Sequence, residues 1–544
     1  MIGSCEVAVV GSGFAGSLLA RVLAMLGYDV VLLERGTHPR FAIGESSTPL
    51  ANLSLERLAI RYGLSDCYQL AAHGRWLARY PELRRGLKRG FTFYRHHPGE
   101  AFANRGFDSE RLLVAASPHD TIADTHWVRA DIDHHFVRAA VSAGVDYRDE
   151  VELSGSEVKA DSIRLTGSRS GAPFDLRARF VIDASGPGGF LARQLSIPSG
   201  LERTHTRAAI VFSHFDGVRL MEEVVPGMPE GPYPEDSAAV HHLIDEGWMY
   251  SLRFDHGVTS AGFLLTPRAC ATLATSDSTD AALLWRTLLG RYPTLANAFA
   301  DSTPMMPMAF RSLIQHRLIR AAGERWALMP HAYAFVDPLF STGIAWGLRA
   351  VERLALAFEA AAGGSRVPSV ETLARYDSAL SAEADQIDLV VAGAYEAMAN
   401  FDLFTAHAML YFATVSFAEV SQRVASDEFA AWKGFLGVGD AALEPLPGES
   451  FRRLLEITRG RANVGTAGER RNYADWVRQA IVPRNVAGLA DPDRRNLYPV
   501  DFDALVERHD LLGMTREQML ASLPALRGMR DTPISATTGE PVSA

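Results

Sequence analysis

Six residues near the start of the chain, Gly11-Ser12-Gly13-Phe14-Ala15-Gly16, have the types and spacing needed to approach a pyrophosphate. In such a G-x-G-x-x-G turn the first glycine permits the bend, the second admits the anion close to the backbone, and the third lets helix and strand pack. Glu34 ends the next apolar run, where a carboxylate accepts the ribose hydroxyls and disfavours a 2′-phosphorylated nucleotide. The turn alone does not decide between FAD and NAD. Two later residues favour the longer cofactor: Arg129 in VRADIDHHFVRAA, and Asp183, which closes FVID before Ser185, Gly186, Gly188 and Gly189. Asp183 reads equally as the capping residue of a surface turn.

Other polar groups read more plainly. Lys88 stands with Arg84, Arg85 and Arg89, and a basic run is by itself a solvated face. His96, His97, His134 and His135 lack convergent acidic or cysteine partners, so they are expected at exposed positions and no metal site is expected. Three scattered cysteines, Cys5, Cys67 and Cys270, make neither a disulfide framework nor a zinc site and suit a reducing cytoplasm. A formal net charge of −10 argues against a nucleic-acid partner. The N-terminus lacks the basic region of a signal peptide, and no apolar run reaches the length of a membrane span, so a soluble cytoplasmic protein is expected.

These groups need a frame. Residues 5–10 and 29–34 read as buried parallel strands around a helix at 14–27, the opening of an α/β, Rossmann-type fold. Residues 145–180 read as a small β-meander, and 205–265 as an antiparallel, substrate-facing sheet. The run RWALMPHAYAFV near 325–336 reads as buried strand, followed by a helix over 344–362. The remainder is helical over 368–435 and 450–525, ending in a polar tail. The expected division is 1–200 with 305–362 as the cofactor unit, 201–304 as the sheet unit, 363–530 as a helical unit and 531–544 as a disordered tail.

Three further segments carry a family likeness. Gly44-Glu45-Ser46-Ser47-Thr48-Pro49 is similar to a G-E-[AS]-[ST]-x-P strap, Asp337-Pro338-Leu339-Phe340-Ser341-Thr342-Gly343 to D-P-L-x-S-x-G, and Leu87-Lys88-Arg89-Gly90-Phe91-Thr92-Phe93 to K-x-G-x-x-F. In this order, over roughly residues 5–360, the chain resembles the phenol- and pyrrole-type flavin-dependent halogenases, within the FAD-dependent aromatic monooxygenase-like superfamily. The resemblance implies FAD, reduced in turnover, held by Gly11, Gly13, Phe14, Ala15, Gly16, Glu34, Arg35, Gly44, Glu45, Ser46, Ser47, Arg129, Asp183, Asp337, Gly343 and Ile344. It implies a chloride or bromide co-substrate against the backbone of Thr342 and Gly343, and Lys88 as the catalytic receiver of hypohalous acid. It further implies a separate NAD(P)H flavin reductase, and a small aromatic of secondary metabolism, free or tethered to a carrier protein.

Phe93, Trp248, Tyr250, Phe340, Phe401 and Phe404 are the candidate pocket residues, with Tyr411, Phe412 and Phe417 as further lining; aromatics at such spacing also read as core. One stretch departs from the family. W-x-W-x-I-P becomes Trp248-Met249-Tyr250-Ser251-Leu252-Arg253, which opens an alternative reading as an FAD-dependent aromatic hydroxylase. A degenerate flavin-binding protein without turnover is a third reading.

Overall fold

Residues 7–10 of the first strand are all buried, as an apolar strand covered on both faces must be. In the computed structural model, which describes residues 3–103, 108–273, 280–424, 430–459 and 463–527, this strand β1 (Gly3–Val10) lies at the centre of a sheet. Helix α1 (Phe14–Met25) leads from it to β2 (Val30–Leu33), which pairs parallel beside it. The other neighbour of β1 is the strand Ala172–Asp183, and its end, Val181–Asp183, pairs in turn with Trp326–Leu328, also parallel. Asp146–Arg148 extends the sheet beyond β2. Val10 stands opposite Asp183, so the glycine turn and Asp183 share the carboxyl edge of the sheet, where open α/β folds bind ligands.

The expected meander is present as Val151–Val158, Ile163–Arg169 and Ala172–Asp183, antiparallel, the last strand serving both it and the parallel sheet. The run at 325–336 is not one strand. Pro330, which has no N–H to give a ladder, opens a helical turn over Pro330–Tyr333 between short strands Trp326–Leu328 and Ala334–Phe335.

A second sheet runs in the order Ala209–Asp216, Thr259–Leu265, Gly247–Arg253, Ala239–Ile244, Gly90–Arg95, Arg111–Ala115. The strands Gly90–Arg95 and Arg111–Ala115 come from the part of the sequence assigned above to the cofactor unit, so the chain enters this layer early, and Leu497–Tyr498 pairs beyond them. Between the layers lies a two-stranded ribbon, Arg85–Lys88 against Asp124–Trp127, in which Lys88 faces Asp124.

Helix Thr342–Ala361 packs on α1, where Gly347 lets the Phe14 ring approach, and on helix Pro49–Tyr62. Val370–Ala397 and Phe401–Val424 follow. The second of these is long and apolar enough to cross a membrane, contrary to the expectation above, but 61% of its apolar window is buried. Its aromatic residues pack against Phe91, Phe93 and Phe340, as in a core helix. The tail assigned to 531–544 lies outside the described residues.

Candidate active site

Each glycine of the turn has a distinct steric reason. Gly11 has φ +100°, and a Cβ there would stand 2.5 Å from the Ala184 carbonyl oxygen. A Cβ on Gly16 would stand 2.1 Å from the Gly11 oxygen, so helix and strand meet only without one. Gly13 instead opens toward two cations: its Cβ position lies 3.6 Å from Arg129 Nη2 and 4.0 Å from Arg40 Nη2. Helix α1 has no side-chain cap, although Asp133 accepts from the Phe14 N–H at 3.2 Å. Two guanidiniums at the positive end of a helix form a donor set for a pyrophosphate.

Glu34 accepts from the Ser12 N–H at 3.1 Å and the Ser12 hydroxyl at 2.8 Å, and pairs with Arg40 at 3.1 Å. Burial opposes its charge, but Arg40 and the hydrogen bonds from Gly36 and Ser12 outweigh that and hold the carboxyl down at about 2. Asp183 accepts from the Ser185 N–H and hydroxyl and, at 2.7 Å, from the Leu191 N–H; burial raises its pKa. In these contacts it acts as a local cap.

The 44–49 segment is strapped across the outer edge of the ribbon. Trp127 N–H donates to the Glu45 carbonyl at 2.6 Å, Ser47 N–H to the Thr125 carbonyl and Thr125 N–H to Ser47 Oγ, both at 3.0 Å. Arg129 ties the strap to the glycine turn, donating to the Ile43 and Gly44 carbonyls at 2.9 and 3.1 Å and twice to Asp133 at 2.9 Å. Ser341, left-handed at φ 52°, donates to Ser46 at 3.1 Å and so brings the start of helix Thr342–Ala361 onto the strap. That helix also lacks a side-chain cap, which leaves the backbone N–H groups of Thr342 and Gly343 at its positive end.

Lys88 is fully buried, the reverse of a solvated face. Its ammonium donates to the Ser47 carbonyl at 2.6 Å and lies 4.1 Å from the centre of the Phe91 ring. Burial pulls its pKa well below the usual lysine range, with Asp124 opposing, and burial pushes Asp124 up. Beyond Phe91 is a cavity of about 340 Å³, whose wall includes Asn52, Phe91, Asp124, Tyr411 and Phe412. Elsewhere its wall is charged: Glu56 joins Arg75 at 2.6 Å and Arg423 at 2.8 Å, and Arg423 joins Glu419 at 2.8 Å.

Residues 9–60 match the family model of the NAD(P)-binding Rossmann-like domain. The chain is 30% identical over 347 residues to the tetracycline 7-halogenase of Kitasatospora aureofaciens, an alignment covering 62% of this chain and 60% of that protein. It is 26% identical over 345 residues to the monodechloroaminopyrrolnitrin halogenase PrnC of Pseudomonas fluorescens, covering 62% and 59%. The chain thus spans about 60% of the length of these curated relatives. The solved structure of halogenase PltM in complex with phloroglucinol and FAD superposes with a TM-score of 0.80 at 23% identity, over 91% of this chain and 99% of that one. Over the residues matched, the chain is similar to proteins named as halogenases, and it shares the fold of one of them.

The altered stretch at 248–253 lies on the strand Gly247–Arg253 and reaches the D-P-L-F-S-T-G segment through Tyr395. The indole N–H of Trp248 donates to the Tyr395 hydroxyl at 3.0 Å, and that hydroxyl donates to Asp337 at 2.8 Å. Burial pushes Asp337 up to about 7, against the Tyr395 and Leu339 hydrogen bonds. Tyr250 is buried, its ring against Gly262. Arg253 donates to the Val218 carbonyl at 3.0 Å and is not part of the cavity wall.

The halogenase-like segments therefore converge, but several candidates stand apart. Arg35 is exposed. Phe93, Trp248, Tyr250, Phe340, Phe401 and Phe404 are buried behind the wall of the cavity rather than in it. Phe93 packs on Phe404 at 5.2 Å and Phe340 on Tyr411 at 4.4 Å. His96, expected above at an exposed position, is buried, 3.0 Å from His242, because it directly follows the strand Gly90–Arg95 and its N–H continues the pairing to the Leu243 carbonyl. Sequence reasoning missed Arg40, Asp133, Asn52 and Asp124. The last two carried no signal, since each gains its role only from partners far away in the chain.

Proposed function

We propose that this protein is an FAD-dependent halogenase of an electron-rich aromatic, a phenol or pyrrole, in secondary metabolism. The observation that carries the reading is the position of Lys88. Its buried amine is bonded to Ser47 of the strap, which Ser46 joins to the start of helix Thr342–Ala361, and its other neighbour, Phe91, belongs to the cavity wall. Gly13, Arg40, Arg129 and Glu34 are a donor and acceptor set that fits FAD. Bound in its reduced form, FAD would supply with dioxygen the oxidising equivalents that turn chloride or bromide into hypohalous acid.

The backbone N–H groups of Thr342 and Gly343 suit the halide. Burial favours the uncharged amine of Lys88. That amine takes halogen from hypohalous acid as an N–halogen bond, with loss of water, and passes it to a ring carbon in exchange for the ring proton. The single G-x-G-x-x-G in the sequence supports delivery of reduced flavin by a separate NAD(P)H flavin reductase. The aromatic substrate is free or tethered to a carrier protein.

The test supplies the purified protein with FAD, a flavin reductase, NADH, oxygen, bromide or chloride, and a panel of phenols and pyrroles. Mass spectra should show replacement of ring hydrogen by halogen. Gain of oxygen instead would replace the halogenase reading by the hydroxylase.

A further inference from the structure

The reaction as proposed leaves one group in the cavity wall without a task. Asp124 is 2% exposed, begins its ribbon strand opposite Lys88, and belongs to the wall. Its Oδ1 accepts from Asn52 Nδ2 at 2.7 Å. Its Oδ2, equally buried, has no hydrogen-bond partner, because Lys88 donates to the Ser47 carbonyl instead.

A buried, unpartnered carboxylate oxygen is costly and calls for an explanation, and in a cavity wall a ligand that donates to it is one. Here the fixed Oδ1 sets the plane of the carboxylate, so Oδ2 is an oriented acceptor. The surrounding wall is aromatic: Phe91 meets Phe412 at 5.4 Å and Tyr411 at 6.2 Å, edge to face. Away from the paired Glu56, Arg75, Glu419 and Arg423, an aromatic stretch of wall with an unpartnered carboxylate oxygen suits a flat ring carrying a hydrogen-bond donor. A phenolic hydroxyl is the strongest such donor, since O–H···O⁻ bonds are short and charge-assisted.

We propose that Asp124 Oδ2 anchors the hydroxyl of a phenolic substrate and thereby fixes the ring carbon presented to Lys88. The proposal rests on the halogenase reading for the role of Lys88, but the anchor is a binding contact and needs no turnover to be seen. It makes phenols, rather than their ethers, the substrate class.

The experiment titrates the FAD-loaded protein and its Asp124→Asn variant with resorcinol and with 1,3-dimethoxybenzene, by calorimetry. The unaltered protein should bind resorcinol at least about tenfold more tightly than the ether, the scale of a hydrogen bond to a charged group. Asp124→Asn should lose most of that preference through weaker resorcinol binding, with ether affinity unchanged. Equal affinities in the unaltered protein, or a preference that survives in the variant, would overturn the anchor. The first comparison stands even if the variant does not fold. A preference that depends on Asp124, without any halogenated product, would support the anchor and count against the halogenase reading alone.

Discussion

Tyr395→Phe removes one oxygen that serves two buried partners. Its hydroxyl donates to Asp337 Oδ2 at 2.8 Å and accepts from Trp248 Nε1 at 3.0 Å, and all three side chains are buried. Leaving a buried donor or acceptor unmatched costs about 1–3 kcal/mol each, so the variant should lose about 2–6 kcal/mol. At about 2 °C per kcal/mol for a large folding unit, the thermal midpoint falls by roughly 4–12 °C.

The loss should also depend on pH. Asp337 is raised by burial to about 7, so the folded state holds a proton that the unfolded state releases near 3.8. Stability from this group is therefore greatest below the unfolded value and declines as pH rises toward about 7. The Tyr395 hydroxyl favours the ionised form; without it the folded pKa rises further and the decline extends to higher pH. Thermal unfolding of the flavin-free protein at pH 5.5 and pH 8 should then show the larger deficit at pH 8. A deficit under about 1 °C, or one equal at the two pH values, would refute the chain from Trp248 to Asp337.

Lys88→Ala should cut halogenated product at least about a thousandfold while FAD still binds and a dimedone trap still detects hypohalous acid; product at a tenth of the normal rate would remove Lys88 from the mechanism. Gly16→Ala places a Cβ 2.1 Å from the Gly11 oxygen, forcing the helix back by about 1 Å, and should weaken FAD binding at least about tenfold by flavin fluorescence. Binding within twofold would show that the turn relaxes freely. Glu34 has the opposite sign to Asp337. Its depressed carboxyl contributes on the order of 3 kcal/mol above pH 4.5, lost as pH falls toward about 2, so Glu34→Gln should be less stable at pH 7 and converge with the unaltered protein under acid. Parallel unfolding curves across that range would contradict the assignment.

The cofactor edge was legible in the sequence because its demands are local. A glycine at φ +100° and another against a backbone oxygen are properties of six consecutive residues, and Glu34 follows at the next strand end. The cavity was legible only in part. Tyr411 and Phe412 stood out as aromatics on an apolar helix, and Phe91 lay inside the lysine segment, but nothing in their spacing separates wall from core. Asn52 and Asp124 come from a helix and a ribbon 72 positions apart and meet only through the strap between them. His96 and Lys88 show the converse: charge and polarity predict exposure, and the second sheet and the ribbon bury both.

The ribbon has a consequence for how chains of this fold could diversify. The strap is laced to one of its edges, while Lys88 and Asp124 sit opposite one another within it, so the spacing between strap and Lys88 is set inside about a dozen hydrogen-bonded residues. The facing wall is supplied separately by helix Phe401–Val424 and the chain around Val486 and Tyr498. Under the proposed function, substitutions there would reshape which molecule the cavity accepts while the spacing within the ribbon stays constant. Laboratory evolution of substrate range should therefore accumulate changes in the helical half of the chain and leave the ribbon untouched.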